Sequence, residues 1–247
     1  MAKAPKRRLD QLVLARGLVP SRQQAQGLIV AGRVLVDNVP VTKCGAQIRE
    51  DVELRIKGAL MPFVSRGGLK LQGALAAFAE VQVAGRICAD LGASTGGFTD
   101  CLLQGDAARV YAIDVGYGQL AWSIREDPRV VVMERTNART LEDLPDPIEL
   151  VVGDLSFIGL GKILPAIARI TAPRADCVLL IKPQFEVGPA GLRKGGVVKS
   201  DELREKAVAD VLLCARELGF TFLGRIESPI QGAKSGNIEY LVHLRAP

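Results

Sequence analysis

From residue 87 onward, short apolar runs alternate with helical or turn-rich stretches, and this alternation limits the possible folds more than any other feature of the chain. The runs are 87–91 (ICADL), 110–114 (VYAID), 130–134 (VVVME), 150–154 (LVVGD), 177–182 (CVLLIK), 222–226 (FLGRI) and 240–244 (YLVHL). A strand buried on both faces reads as a near-continuous apolar run, and strands alternating with helices imply a parallel sheet covered on both sides. Helical segments are expected between the first six runs. The last two are joined by a loop with no helical pattern, so the seventh strand should return antiparallel. The expectation is an α/β domain with a seven-stranded, mostly parallel sheet. A hydrophobic fraction of 48% is enough for such a core and excludes a disordered chain.

The first sixty residues read differently. Residues 8–17 (RLDQLVLARG) place Leu9, Leu12 and Val13 on one helical face, with Gly17 as a stop. Ser21 is a good N-cap for a second helix through Ala25, Leu28 and Ile29, ended by Gly32. Short strands follow around Val34–Val36, Val39 and Val41, and Val52, Leu54 and Ile56. The predicted unit is a small α+β domain of two helices on a sheet. Residues 1–60 hold 11 Lys/Arg and 5 Asp/Glu, against 21 and 22 in the remainder, so the whole net charge of +5 originates here. A compact basic module on a neutral body points to a polyanion partner. The run Arg8-Leu9-Asp10, then Ser21-Arg22, Ala25, Leu28-Ile29, Gly32, Val34 and Val36-Asp37 resembles the RNA-binding domain named after ribosomal protein S-four. That resemblance implies RNA contacts at Arg8, Arg22, Gln26, Arg33 and Lys43. Asn38 replaces the family's usual glycine, and asparagine tolerates the left-handed turn. The stretch 57–68 (KGALMPFVSRGG) has proline and paired glycine and reads as a linker. The expected organisation is therefore 1–60, a linker at 61–68, and a second domain at 69–247 opening with a helix over 69–80.

Ligands of open α/β sheets bind beyond the carboxyl ends of the strands. The first strand of the second domain runs into Asp90-Leu91-Gly92-Ala93-Ser94-Thr95-Gly96-Gly97-Phe98. Ser94 stands where a dinucleotide fingerprint needs its second glycine, because pyrophosphate must approach the main chain there. A cofactor with no phosphate, such as S-adenosylmethionine, tolerates the serine. Asp114, 22 residues after Gly92, is placed to accept ribose hydroxyls. Asn137 and Ala138, after the third strand, are candidates for adenine contacts. Asp154 and Lys182 end the fourth and fifth strands, and Glu239 begins the antiparallel seventh, so all three should share one rim; Lys70 could reach it. Arg66, and Arg193, Lys194 and Lys199 in a Gly-rich stretch, are candidate RNA contacts, the latter three in a mobile loop. Phe185 is a candidate either for base packing or for the core.

The Asp90–Phe98 stretch, Val64-Ser65-Arg66-Gly67-Gly68-Leu69-Lys70-Leu71 and Lys182-Pro183-Gln184-Phe185-Glu186 together resemble the TlyA family, over essentially the whole chain. That family joins an S-four-like domain to an FtsJ-like, Rossmann-like class I methyltransferase domain. The resemblance implies S-adenosylmethionine as cofactor and ribosomal RNA, within ribosomal subunits, as partner. The implied reaction is methylation of a cytidine ribose 2′-hydroxyl, by a Lys-Asp-Lys-Glu tetrad matching Lys70, Asp154, Lys182 and Glu239. Family members have also been called hemolysins. No run approaches the roughly 18 apolar residues of a membrane span, so no membrane role is expected.

Three other readings are weighed against this one: a nicotinamide oxidoreductase, disfavoured by Ser94; a non-enzymatic ribosome assembly factor, disfavoured by the retained tetrad; and a membrane-active toxin. A single histidine, His243, and five cysteines without CxxC spacing argue against a metal site and fit a reduced, cytoplasmic setting. A monomer is the working expectation.

Overall fold

A computed structural model describes residues 4–19, 21–58, 61–232 and 236–247. The chain forms two compact units, Met1–Met61 and Pro62–Pro247. Ala59 and Leu60, in the expected linker stretch, lie outside the described residues.

In the first unit, β1 (Lys6–Arg8) leads directly into α1 (Leu9–Ala15) and then α2 (Arg22–Val30). The Ser21 hydroxyl accepts the Gln24 N–H at 3.2 Å, as the capping pattern requires. Strands β2 (Val34–Val36), β3 (Val39–Pro40), β4 (Gln47–Arg49) and β5 (Leu54–Ile56) complete the unit. Asp37 and Asn38 join β2 to β3 with φ of 47° and 67°, the two positive values that a tight hairpin turn needs. Leu9, Leu12 and Val13 meet Ala25, Ile29, Val34 and Leu54 in one apolar core. The pairing of β1 with β4 was not legible in the sequence, since charged Lys6–Arg8 carries no strand pattern.

The second unit begins before the expected boundary. Phe63 is buried in its core and α3 spans Gly67–Ala77, so 62–68 is packed structure and not a free linker. There follow β6 (Ile87–Leu91), α4 (Gly97–Gln104), β7 (Arg109–Ile113), α5 (Trp122–Arg125), β8 (Val130–Met133), β9 (Ile148–Gly153), α6 (Leu164–Ile170), β10 (Thr171–Ile181), α7 (Pro183–Glu186), α8 (Asp201–Glu217), β11 (Thr221–Glu227) and β12 (Tyr240–Arg245). Between β8 and β9 the expected helix is only a 3-10 turn, Ala138–Thr140.

The seven strands run in the order β11-β12-β10-β9-β6-β7-β8. β12 is antiparallel to both neighbours, β10 and β11; the pairs along β10-β9-β6-β7-β8 are parallel. Alternate residues feed opposite cores. On β10, Cys177, Leu179 and Ile181 face the layer of α6 and α8, whereas Val178 and Leu180 face α3 and α4. Burying these runs on both sides sets which strand ends face solvent, and thus where the site can form.

Beneath the sheet, His243 is fully buried, with Nε2 2.9 Å from Asp176 and Nδ1 3.2 Å from Glu80. Burial disfavours the Asp176 carboxylate, but hydrogen bonds from Arg86, His243 and Arg245 outweigh it and hold its pKa below the usual value. The only histidine therefore lies in a structural charge network. Cys88, Cys101 and Cys177 are buried, and burial pushes the Cys88 and Cys101 thiols up to about 12, so they behave as small apolar side chains.

Candidate active site and cofactor cleft

The strand order reverses between β6 and β9, and both edges of this switch point carry polar side chains. Read along the rim, the residues after each strand are Glu134, Asp114, Gly92, Asp154 and Lys182, with Glu239 just ahead of β12. The five side chains among them come from five different strand ends, far apart in sequence. The sheet register makes them neighbours.

The β6–α4 loop is shaped by its glycines. Gly92 has φ of 83°, and a Cβ there would lie 3.1 Å from the Asp154 carbonyl oxygen, so the absence of a side chain lets this loop touch the one after β9. At Gly97 a Cβ would sit 2.2 Å from Ser65 Oγ and 2.9 Å from Gly68 N, which is why α4 can start against the first turn of α3. That contact places Lys70 over the rim. Ser94 itself takes a positive φ of 48°.

Asp114 binds the loop on both sides. Its Oδ2 accepts the Ser94 N–H at 2.8 Å and its Oδ1 accepts the Gly116 N–H at 2.7 Å. A small cleft beside it is lined by Ala93, Ser94, Asp114, Gln119, Leu120 and Glu134, among others. Of the residues expected to meet a cofactor, Ala93, Ser94 and Asp114 therefore line this cleft, and Thr95 is exposed nearby. Phe98 is 3% exposed and belongs to the core. Asn137 and Ala138 do not line it: Asn137 caps the 3-10 turn by accepting the Arg139 N–H at 3.0 Å, and Ala138 is buried among apolar side chains. Gln119 and Glu134 occupy the wall instead; neither stood out in the sequence, because polar residues in turn-rich loops are ordinary.

Asp90 lies beneath the loop with no exposed surface. Its Oδ2 accepts from Thr99 N at 2.9 Å and Thr99 Oγ1 at 2.6 Å, fixing the start of α4. Burial pushes its pKa up to about 7, against the lowering effect of the Thr99 hydrogen bonds.

The other half of the rim holds two lysines and two carboxylates. Lys70 Nζ donates to Glu239 Oε2 at 2.7 Å and Asp154 Oδ2 at 3.4 Å. Lys182 Nζ lies 2.5 Å from Asp154 Oδ1 and donates to Ser156 Oγ at 2.8 Å. Lys70, Lys182 and Glu239 are each under 10% exposed. Alternating charges stabilise such buried ions by pairing them. Gln184 donates to Glu239 Oε1 at 3.0 Å. Phe185 is half-buried, its ring 5.8 Å from Lys182 Nζ and 5.5 Å from the exposed Phe157. Gln184 Oε1 on this rim is a buried acceptor without a hydrogen-bond partner among the described residues, whereas the buried Asp154 Oδ1, outside hydrogen-bond geometry, is held by the Lys182 ion pair. An unpartnered buried acceptor suits a ligand that brings a donor.

The basic residues of the first unit are held more tightly than their sequence suggests. Asp10, fully buried, accepts from Arg8 at 3.1 Å, Arg22 at 2.9 Å and Gln26 at 3.0 Å. The Arg8 hydrogen bond is foremost in holding Asp10 well below the usual carboxylate range. Sequence reading missed Asp10 because an aspartate early in a helix is common. Arg33 donates to the Lys57 carbonyl at 2.9 Å, and Lys43 is exposed. In the second unit Arg66 is exposed and donates to the Gln231 carbonyl at 3.4 Å. Arg193 and Lys194 are exposed on a closed hairpin, bridged by Leu192 and Val198 and pinned by buried Asn237, which accepts the Val198 N–H and donates to the Gly196 carbonyl. The segment expected as a mobile loop thus has its own internal bonding.

Comparison with known proteins agrees with this geometry. Residues 63–246 match the model of the FtsJ-like methyltransferases, and residues 7–54 match the S4 domain. The chain is 50% identical, over 98% of its length and 91% of the relative's, to the 16S/23S rRNA (cytidine-2′-O)-methyltransferase TlyA of Mycobacterium tuberculosis. It is 43% identical to Hemolysin A of Brachyspira hyodysenteriae, over 96% of this chain and 99% of that one. A solved structure from Streptococcus thermophilus, also named as a hemolysin, superposes with a TM-score of 0.75 at 42% identity, covering 98% of this chain and 89% of that one. Among the described residues no helix is long and apolar enough to cross a membrane. With both domains matched in order and the relatives aligned nearly end to end, the chain belongs to the TlyA family of FtsJ-like methyltransferases that carry an N-terminal S4 domain.

Proposed function

We propose that this chain transfers a methyl group from S-adenosylmethionine to the ribose 2′-hydroxyl of a cytidine in ribosomal RNA. The observation that carries the reading is the meeting of two half-sites at one switch point: the Gly92–Gly97 loop with Asp114, and the paired Lys70–Glu239 and Asp154–Lys182. S-adenosylmethionine supplies a methyl group already activated by its sulfonium charge. The residues fit it: a serine, Ser94, stands where a dinucleotide fingerprint has its second glycine, and Asp114 is a carboxylate at the cleft.

The protein has to align a weakly acidic hydroxyl and manage its proton. Lys182 is the group proposed to hold that hydroxyl, either taking up the proton or neutralising the charge it leaves. Asp154 keeps Lys182 in place, while the Lys70–Glu239 pair fixes the opposite side of the site. The S4 domain and the exposed Arg66, Arg193 and Lys194 are proposed to bind the RNA backbone.

Asp114→Ala is expected to weaken S-adenosylmethionine binding at least about tenfold, the loss of charged hydrogen bonds of roughly 1.5–3 kcal/mol. Calorimetry checks this. Unchanged cofactor affinity would remove Asp114 from the cleft, and tight NAD binding would favour an oxidoreductase. Deleting residues 1–60 is expected to remove most RNA affinity and flatten its salt dependence while leaving cofactor binding intact. The measurement is RNA binding across a salt series; an unchanged slope would show that the S4 domain is not the main anchor.

A further inference from the structure

The Lys182 nitrogen is tetrahedral, and its own Cε fills one corner. Ser156 Oγ accepts from it at 2.8 Å and takes another, while Asp154 Oδ1 holds the nitrogen at 2.5 Å as an ion pair outside hydrogen-bond geometry. We propose that Ser156 is a positioning residue for methyl transfer: its directional hydrogen bond, beside the Asp154 ion pair, fixes the Lys182 nitrogen so that a remaining corner faces the reacting hydroxyl. This inference rests on the role given above to Lys182.

Lysine is a point charge on a flexible four-carbon stem. Held by Asp154 alone, its nitrogen would swing about a single contact. That contact is an ion pair, whereas Ser156 adds a hydrogen bond, which is directional. A second fixed acceptor converts an arc of positions into one.

The loop that carries Ser156 is held at both ends. Asp154 N donates to the Leu91 carbonyl at 3.1 Å, joining the loop to the neighbouring strand. Leu160 N donates to Glu186 Oε1 at 2.7 Å, and a Cβ on Gly159 would lie 2.7 Å from Glu186 Oε2, so the chain is seated directly on this carboxylate. Glu186 is mostly removed from water, and burial raises its pKa, so it is held there against a desolvation cost. Immediately after Ser156, Phe157 adopts φ of 66°. A left-handed backbone is disfavoured for an aromatic residue, and at 90% exposure this side chain recovers nothing by burial within the chain. The conformation turns the backbone just past Ser156, with its hydroxyl against Lys182.

A serine hydroxyl carries no charge in the working pH range, so Ser156 does not act by titration. Its effect should be geometric and confined to turnover. The test uses the full-length protein with ribosomal RNA and S-adenosylmethionine, comparing wild type, Ser156→Ala, Ser156→Thr and Lys182→Ala. Ser156→Ala is expected to lower the single-turnover rate at saturation roughly 10–100-fold, the scale of a misplacement near 1 Å. KM for RNA and the cofactor dissociation constant should stay within about twofold. Ser156→Thr keeps the hydroxyl and should recover the rate to within about threefold of wild type. A wild-type rate in Ser156→Ala overturns the proposal. So does a loss that appears only in KM, or a threonine variant as slow as alanine. The Lys182→Ala control separates the two readings: if it turns over normally the role of Lys182 fails, whereas an inactive Lys182→Ala beside a normal Ser156→Ala removes Ser156 alone.

Discussion

Lys182→Ala is expected to lower methyl transfer by about a thousandfold or more while leaving S-adenosylmethionine and RNA binding nearly unchanged. The expectation follows from where the amine sits. It is 8% exposed, between Asp154 and Ser156, at the end of β10, with only β9 between that strand and β6, whose loop forms the cofactor cleft. An alanine there leaves the proposed site without the group that meets the hydroxyl. The fold should survive, because Asp154 keeps Lys70 as a cationic partner at 3.4 Å. Lys70→Ala is a poorer test: it would strip the 3%-exposed Glu239 of its only ion-pair partner among the described residues, and a buried unpaired carboxylate is costly. Lys182→Arg should fail as alanine does, since a planar guanidinium changes the geometry and does not give up a proton. Single-turnover transfer to ribosomal RNA at saturating cofactor is the measurement. A near-normal rate in folded Lys182→Ala protein would rule out the mechanism even if the enzyme is a methyltransferase.

The second large effect is on stability. Asp90 has no exposed surface, and burial sets its folded pKa near 7, against an ordinary value of 3.8. Between these values the folded chain holds a proton that the unfolded chain has lost. The folded state therefore binds more protons, and stability falls as pH rises through this window. The slope is at most about 1.4 kcal/mol per pH unit and halves near the folded pKa, so on the order of 2 kcal/mol is lost from pH 5 to pH 7 through this residue. Asp90→Asn keeps an oxygen to accept from Thr99 and cannot ionise. It should remove this part of the pH dependence, making the variant gain on the wild type as pH rises. Guanidinium unfolding of both proteins at pH 5, 6, 7 and 8 tests this, because Asp10, Asp114, Asp176 and every other group is common to the two. Parallel curves would mean that Asp90 is ionised throughout, stabilised by something other than Thr99.

Asp90 also shows where sequence reading stopped. As the acid ahead of a glycine loop, Asp90 reads as a cofactor contact. The structure puts its carboxylate under the loop, on Thr99 at the start of α4. Sequence position gives the strand end but not which way the side chain points. The same holds for Arg8 and Arg22. Their charge was visible, but their shared buried partner Asp10 was not, since that contact joins two helices 12 residues apart.

What the sequence determined by itself is local or additive: the seven apolar runs, the Ser21 cap, the glycine loop, the excess of positive charge before residue 60, and the strand-end Asp114, Asp154 and Lys182. Apolar runs specify strands because their burial depends on side-chain character and period. Pairing is a different matter, because hydrogen-bonding backbone is nearly the same in every strand. Only the tertiary structure decided that β12 enters between β10 and β11, bringing Glu239 within 2.7 Å of Lys70 across 169 positions of sequence. Only it set Ser156 against Lys182, by clamping a loop between the Leu91 carbonyl and the Glu186 carboxylate. Such contacts arise from which elements share the two cores of the sheet, and short-range pattern does not encode that choice.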